Sequence, residues 1–140
     1  MNLIEKELYL VEKMIKADVV KEKSIKEIYK YIFKSDGKKI RARLNLISSS
    51  INRKKKNRIK LAAIIELLHT ATLIHDDVVD NSSFRRGNES VNNIWSNAHG
   101  VLIGDYIYSK AFIYMVDVGK KEILKELSSA TNDISQGELI

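Results

Sequence analysis

The residues best suited to chemistry in this sequence form the acidic run His75-Asp76-Asp77-Val78-Val79-Asp80. On a helix, Asp76 and Asp80 are one turn apart and lie on one face, and Asp77 lies one step round from them. Like charges at this spacing repel, and the C-terminal end of a helix disfavours anions. A bound cation would relieve both effects. Magnesium prefers carboxylate oxygens and commonly bridges one or two of them to a substrate phosphate, so the run predicts a Mg²⁺ site.

A plainer interpretation of the same run is a solvated acidic helix end with a salt-bridge partner. The spacing alone leaves both interpretations open. The basic residues elsewhere in the chain favour the metal site, because they predict that phosphate groups bind beside it.

Two basic segments could hold those phosphates. Arg85, Arg86 and Gly87 follow the acidic run in a polar stretch, and arginine suits bidentate contacts with phosphate. Upstream, Lys38 and Arg41 lie one turn apart at the predicted start of a helix, where backbone N–H groups attract anions. Two basic sites beside one magnesium site indicate two phosphorylated groups bound side by side.

His69 lies two turns before Asp76 on nearly the same helical face, so it is a further candidate for the same cavity. A lone histidine on such a helix can equally be a core residue whose ring is satisfied by its neighbours.

Helices must position these residues, because apolar side chains recur at helical spacing and no run alternates as a strand does. Proline is absent and glycine is rare. We expect two helices in Leu3–Phe33, with a break at Ala17 and Asp18 and with Asp18 as an N-cap. After a turn at Ser35–Gly37, further helices are expected over residues 38–51, 58–80, 100–118 and 120–140, with a short one within 89–96. Residues 52–57 are predicted to form a basic connection, and 81–87 a loop ending in glycine.

The net charge of +6 and the pI near 9.4 raise the possibility of a basic helical binding module. The lysines are scattered along the chain, which argues against a nucleic-acid partner. Cysteine is absent, so disulfides and thiolate chemistry are excluded. The N-terminal residues are acidic as well as apolar, unlike a signal peptide, and no run approaches the roughly 20 apolar residues of a membrane span. The expected location is the cytoplasm.

Four segments together resemble the trans-isoprenyl diphosphate synthases, most closely the bacterial octaprenyl and other long-chain polyprenyl members. In chain order these segments are Gly37–Arg41, His69–Asp80, Arg85–Gly87 and Gly104–Tyr106. The resemblance implies an all-α fold, in which the antiparallel helices of an isoprenoid synthase (terpene synthase-like) fold surround a deep cavity. It also implies prenyltransferase chemistry, in which an allylic diphosphate such as farnesyl diphosphate ionises with magnesium and is attacked by isopentenyl diphosphate.

The resemblance further implies roles for individual residues. Asp76 and Asp80 would ligate Mg²⁺ on the allylic diphosphate, which Arg85 would contact. Asp77 is expected to support the site without ligating the metal. Isopentenyl diphosphate would be held by Lys38, Arg41, His69 and Arg86.

Product length in this family depends on the residues one and two turns before the acidic run, here Leu68, Ala71 and Thr72. Ala71 is small, which favours a product longer than farnesyl, expected to provide quinone side chains. The alternative is that Ala71 packs against a neighbouring helix.

Two residues depart from the family pattern. Asp36 replaces a glycine before Lys38, which could weaken diphosphate binding slightly, and Ala42 replaces a proline, a mild change because alanine is the best helix former.

The resemblance also predicts that residues 1–140 are the N-terminal part of a polyprenyl synthase domain, forming an incomplete bundle. The second Asp-rich motif would lie outside this chain, and the chain alone would be truncated and inactive. The alternative is a non-catalytic subunit, or half of a split enzyme, that needs a complementing chain. The family is commonly homodimeric. Missing helices would leave exposed apolar side chains around residues 100–118 and near Ile140.

Overall fold

A computed structural model of the chain describes residues 2–34 and 55–139. These residues form α1 (Leu3–Lys16), α2 (Lys23–Ile32), α3 (Lys55–Val79), β1 (Phe84–Arg85), β2 (Asn88–Glu89), α4 (Val91–Ile94), α5 (Asn97–Val118) and α6 (Lys121–Leu139). The all-α prediction is confirmed. The predicted turn at Ser35–Gly37, the helix over 38–51 and most of the basic connection over 52–57 lie outside the described residues.

The first two helices are separated as expected, but the predicted role of Asp18 is wrong. Asp18 has a left-handed backbone with φ 55°, and α2 begins only at Lys23. Its N-cap is Glu22, whose carboxylate accepts a hydrogen bond from the Ile25 N–H at 3.1 Å. Hydrogen bonds from the backbone N–H groups of Ile25 and, with a smaller effect, Ser24 lower the pKa of the Glu22 carboxyl. The longer connection is possible because the side chains of α5 bind the backbone at the end of α1.

α5 supplies three side chains, one turn apart, to the C-terminal end of α1 and to the connection that follows it. Tyr114 Oη donates to the Met14 carbonyl at 2.6 Å, Lys110 Nζ donates to the Ala17 carbonyl, and Tyr106 Oη accepts from the Val20 N–H at 3.1 Å. The last carbonyls of a helix lack partners within the helix, so Tyr114 and Lys110 supply donors to two of them, while Tyr106 holds the connection at Val20.

α3 and α5 form the centre of the molecule and run antiparallel, since His75 near the end of α3 contacts Val101 near the start of α5. Helical spacing places the buried residues of each helix on the shared face. On α3 these are Ile64, Leu67, Ala71 and Ile74, and on α5 they are Ile103, Ile107, Ala111 and Met115. The helices approach closely at Gly100, where an added Cβ would lie 2.6 Å from Val78 Cγ2.

The other expected elements are present with small differences. α5 ends at Gly119, whose left-handed φ of 69° allows the chain to leave the helix. The predicted loop over 81–87 contains β1, which pairs with β2 in a hairpin, and this short pair leaves the all-α class unchanged. Strands of two residues are too short to show an alternating pattern.

Apolar side chains are exposed along α5, as predicted for residues 100–118. Leu102 is 66% exposed, Ile113 61% and Val116 73%. Ile140 lies outside the described residues. Among the helices that the structure describes, none is both long and apolar enough to cross a membrane.

Candidate functional site

The end of α3 determines how the carboxylates are presented. Asn81 has a left-handed φ of 54°, its N–H donates to the Val78 carbonyl at 3.2 Å, and the Ser82 N–H donates to the Asp77 carbonyl at 2.9 Å. This pair of hydrogen bonds is the Schellman motif, with asparagine where glycine is usual. Asp80 is therefore the C-cap, and the chain turns back across the helix end.

Asp76 and Asp80 share one face at this turn. Asp76 is half-buried and Asp80 is exposed. Within residues 2–34 and 55–139, neither carboxylate has a hydrogen bond or an ion pair from a side chain. The two acidic groups thus reach solvent together, beside the turn that follows the helix.

Asp77 has a different environment from its neighbours, because it is only 5% exposed. Arg85 Nε lies 3.0 Å from Asp77 Oδ2, and Arg85 Nη2 lies 2.8 Å from Asp77 Oδ1, which is a bidentate ion pair. The hydrogen bond to Asp77 raises the pKa of Arg85, and the charges of Asp77, Asp76 and Asp80 raise it further, against the opposing effect of burial. The guanidinium therefore lies in the field of all three carboxylates.

We call residues 83–90 the arginine hairpin. Its turn consists of Arg86 and Gly87, with φ of 51° and 81°, between the paired residues Arg85 and Asn88. Positive φ at both central residues is the type I′ geometry that suits the twist of a hairpin. Arg86 is exposed at this turn, and its side chain makes no hydrogen bond within the part of the chain described.

The base of the arginine hairpin is tied to the end of α3. Ser90 Oγ donates to the Ser82 carbonyl at 2.7 Å, and the Ser90 N–H donates to the Ser83 carbonyl at 2.9 Å. Asn92 Nδ2 donates to the same Ser82 carbonyl at 3.0 Å and lies 3.4 Å from the Asp77 carbonyl. These bonds hold the arginine hairpin at the end of α3, where Arg85 reaches Asp77.

Sequence reasoning missed the role of His75. Its Nε2 lies 3.1 Å from the Val101 carbonyl and 3.4 Å from Asp105 Oδ1 on α5. Gly104 makes this possible, because a Cβ there would collide with the imidazole ring. The signal was present in the segment Gly104–Tyr106, since an isolated glycine inside an apolar helix often marks a close approach.

The three residues proposed to limit product length do not share one environment. Leu68 and Thr72 are half-buried, and Thr72 Oγ1 lies 3.0 Å from Tyr108 Oη of α5. Ala71 is completely buried in the core. Ala71 precedes Asp76 by five residues, a spacing that places the two side chains about 140° apart around the helix. Ala71 therefore does not lie on the carboxylate face. In this structure Ala71 instead packs against neighbouring helices.

The remaining candidates are only partly brought together. His69 is half-buried and lies two turns before Asp76, about 20° round the helix. Lys38 and Arg41 lie outside the described residues. The structure therefore brings Asp76, Asp80, Arg85 and Arg86 to one end of α3, with Asp77 engaged by Arg85.

The residues present fit a magnesium ion in part. Two carboxylates without protein partners are the kind of ligand that Mg²⁺ takes while keeping several waters. The described residues contain no group of three or more His, Asp or Glu side chains arranged to hold a metal. Asp76 and Asp80 would thus be the protein ligands, with water and substrate oxygens completing the shell.

Known proteins match this chain over most of its length. The family model of the polyprenyl synthetases matches residues 22–140. The all-trans-nonaprenyl-diphosphate synthase (geranyl-diphosphate specific) of Rhodobacter capsulatus is 40% identical over 118 residues, which make up 83% of this chain and 36% of that protein. The octaprenyl diphosphate synthase of Escherichia coli is 39% identical over 117 residues, again 83% of this chain and 36% of that protein.

A solved structure gives the same result for the fold. The decaprenyl diphosphate synthase from Rhodobacter capsulatus matches with a TM-score of 0.90 at 33% identity, covering 97% of this chain and 43% of that one. The helices therefore have the all-α isoprenoid synthase fold of these enzymes. The chain spans 36% of the length of each of the two curated relatives.

Proposed function

The chain belongs to the polyprenyl synthetase family, and we propose that it contributes the first metal site and a diphosphate-binding hairpin to a prenyltransferase. The reaction condenses isopentenyl diphosphate with an allylic diphosphate such as farnesyl diphosphate. The observation that carries the proposal is the pair Asp76 and Asp80, which share one face within the electrostatic range of Arg85 and accept no hydrogen bond or ion pair from a described side chain.

The chemistry requires these residue types. The allylic C–O bond breaks, and its electron pair leaves with the diphosphate. The double bond of isopentenyl diphosphate then forms the new C–C bond, and loss of a proton restores an alkene. A magnesium ion supplies Lewis-acid neutralisation of the departing diphosphate. The guanidinium of Arg85 supplies further fixed positive charge, which stabilises the developing anion without reorganising.

Asp76 and Asp80 would hold the magnesium ion, and Arg85 would contact the allylic diphosphate. Asp77 acts indirectly, since its ion pair with Arg85 orients the guanidinium. Isopentenyl diphosphate is held by Lys38, Arg41, His69 and Arg86.

The product is proposed to be a long-chain polyprenyl diphosphate that provides quinone side chains. The names of the relatives support a long product, since they are nonaprenyl and octaprenyl diphosphate synthases. Leu68 and Thr72, half-buried next to the carboxylate face, are proposed to line the start of the cavity that receives the growing chain.

Activity is proposed to require residues beyond these 140, because most of each relative's length has no counterpart in this chain. We propose that the chain corresponds to the N-terminal part of the synthase domain and is inactive alone. A second candidate is a subunit that acts with a complementing chain, or as a homodimer. The exposed apolar side chains Leu102, Ile113 and Val116 favour a covering partner of either kind.

Two measurements test the proposal. Calorimetry should detect binding of inorganic diphosphate to the chain with magnesium, and binding should be lost in Asp76→Ala. Equal binding of diphosphate by wild type and Asp76→Ala would contradict the metal site. Binding without magnesium would favour a basic helical binding module instead. In the second measurement, labelled isopentenyl diphosphate is supplied with farnesyl diphosphate. We expect no product from the chain alone, and product formation would contradict the need for further residues.

A further inference from the structure

The arginine hairpin has a second attachment, on the side away from α3. Tyr31, near the end of α2, donates its hydroxyl to the Glu89 carbonyl of β2 at 2.7 Å. The two residues are 58 positions apart in the chain. The contact therefore joins α2 to the strand that follows the Arg86–Gly87 turn.

The pairing pattern explains why the Glu89 carbonyl is available. Ser90 and Ser83 are bonded through the Ser90 N–H, so the next pair, Phe84 and Glu89, is the non-hydrogen-bonded kind. The backbone groups of Glu89 therefore face away from β1, along the open edge of the hairpin. Tyr31 binds this edge.

A two-stranded hairpin is at best marginally stable in water, so its position depends on its attachments to the rest of the fold. Asp77 holds one side through Arg85, and Ser82 and Asn92 hold the base. The contact from Tyr31 holds the opposite edge. Losing it would leave the strand after the turn held only at its base and by the hydrogen bond of 3.0 Å from Asn93 Nδ2 to Glu89 Oε1.

The Trp95 ring lies against Tyr31, so its fluorescence can report on the Tyr31–Glu89 contact. The Tyr31 and Trp95 rings meet edge to face, with their centroids 5.4 Å apart. Trp95 directly follows α4, which is capped by Ser90 at the end of the hairpin. It is also the chain's only tryptophan, so tryptophan emission, excited selectively over the six tyrosines, comes from this junction.

We propose that Tyr31 is a positioning residue, which sets where the arginine hairpin presents Arg85 and Arg86 to a bound diphosphate. This inference rests on the proposed function, since it assumes that the two arginines bind diphosphate. It adds a residue on a separate helix that touches neither metal nor substrate. It also makes the Tyr31–Trp95 junction sensitive to the occupancy of the site.

The test compares Tyr31→Phe, which removes the hydroxyl and keeps the ring, with wild type. Tyr9→Phe is the matched control, because Tyr9 is 57% exposed on α1, away from the hairpin. Inorganic diphosphate is titrated with magnesium into the full chain, and binding is followed by calorimetry and by Trp95 emission. Thermal unfolding of each protein is measured in parallel.

For wild type and Tyr9→Phe we expect diphosphate binding with a change in Trp95 emission. For Tyr31→Phe we expect affinity about three- to ten-fold weaker, the size of one hydrogen bond, and a smaller emission change. Arg86→Ala should weaken binding without changing the emission of the free protein, because Arg86 does not touch the junction.

Wild-type affinity and an unchanged emission response in Tyr31→Phe would overturn this inference while leaving the proposed function in place. Absence of diphosphate binding by wild type would overturn the proposed function, and this inference with it. A loss of affinity in Tyr31→Phe that is fully matched by a loss of folded protein in the thermal unfolding measurement would also overturn it, because the effect would then be general and not a displacement of the hairpin.

Discussion

Replacing Asp77 by asparagine should destabilise the protein, whereas the same change at Asp80 should not. The two aspartates are three residues apart, but their environments differ. The Asp77 side chain is 7% exposed and bidentate to Arg85, while Asp80 is exposed and has no side-chain partner in the described residues. The comparison therefore separates a carboxylate that supports the fold from one that is available for a ligand.

The expected size follows from the burial of the pair. Breaking a fully buried ion pair costs about 3–5 kcal/mol, and breaking a surface pair costs about 0–1 kcal/mol. Because the Arg85 side chain remains 37% exposed, the pair lies between these limits. Asparagine keeps one acceptor, so we expect Asp77→Asn to lower the free energy of unfolding by about 2 kcal/mol. For a chain of this size the midpoint should fall by about 4–8 °C.

Asp80→Asn should leave stability unchanged or raise it by about 0.2–0.5 kcal/mol, because it removes a like charge one turn from Asp76 at the negative end of the helix dipole. Magnesium-dependent diphosphate binding should instead fall in Asp80→Asn. Urea unfolding followed by circular dichroism measures the first effect, and calorimetry the second.

The reasoning would be refuted by equal stability losses in the two variants, or by no loss in Asp77→Asn. A double-mutant cycle with Arg85→Gln sharpens the test. If the pair itself is the source of the effect, the double variant should be more stable than the sum of the single losses predicts.

Two further changes have defined outcomes. Gly104→Ala places a Cβ against the His75 ring and should lower the free energy of unfolding by about 1–3 kcal/mol. Gly137→Ala meets no atom within 4 Å and should raise the free energy of unfolding by up to about 1 kcal/mol. Urea titration measures both changes, and the opposite order of stability would contradict this packing. Burial raises the pKa of Tyr29 well above the ordinary value of 10.0, and its hydroxyl donates to the Ile15 carbonyl. The phenol therefore contributes stability that is present below pH 10.0 and is lost as the pH rises further. Wild type should therefore lose stability between pH 9 and 11 more steeply than Tyr29→Phe, and parallel pH curves would show that Tyr29 is not the cause.

Local features of the chain were predictable because they depend on neighbours in sequence. The spacing of apolar residues predicted α3 and α5, and Gly119 ends α5 in the left-handed conformation that glycine adopts without strain. The i, i+4 relation of Asp76 and Asp80 follows from helical geometry alone. The predicted N-cap at Asp18 failed because that residue is left-handed and Glu22 caps α2, while α5, far along the chain, binds the connection between them.

The sequence by itself determined which residues could bind metal and phosphate, and on which elements most of them lie. Tertiary structure decided which of them are available. The tertiary structure paired Asp77 with Arg85 and left Asp76 and Asp80 without a side-chain partner among the described residues. It also buried Ala71 in the core and attached Tyr31 to the arginine hairpin. These outcomes depend on contacts between residues distant along the chain, which helical periodicity does not encode.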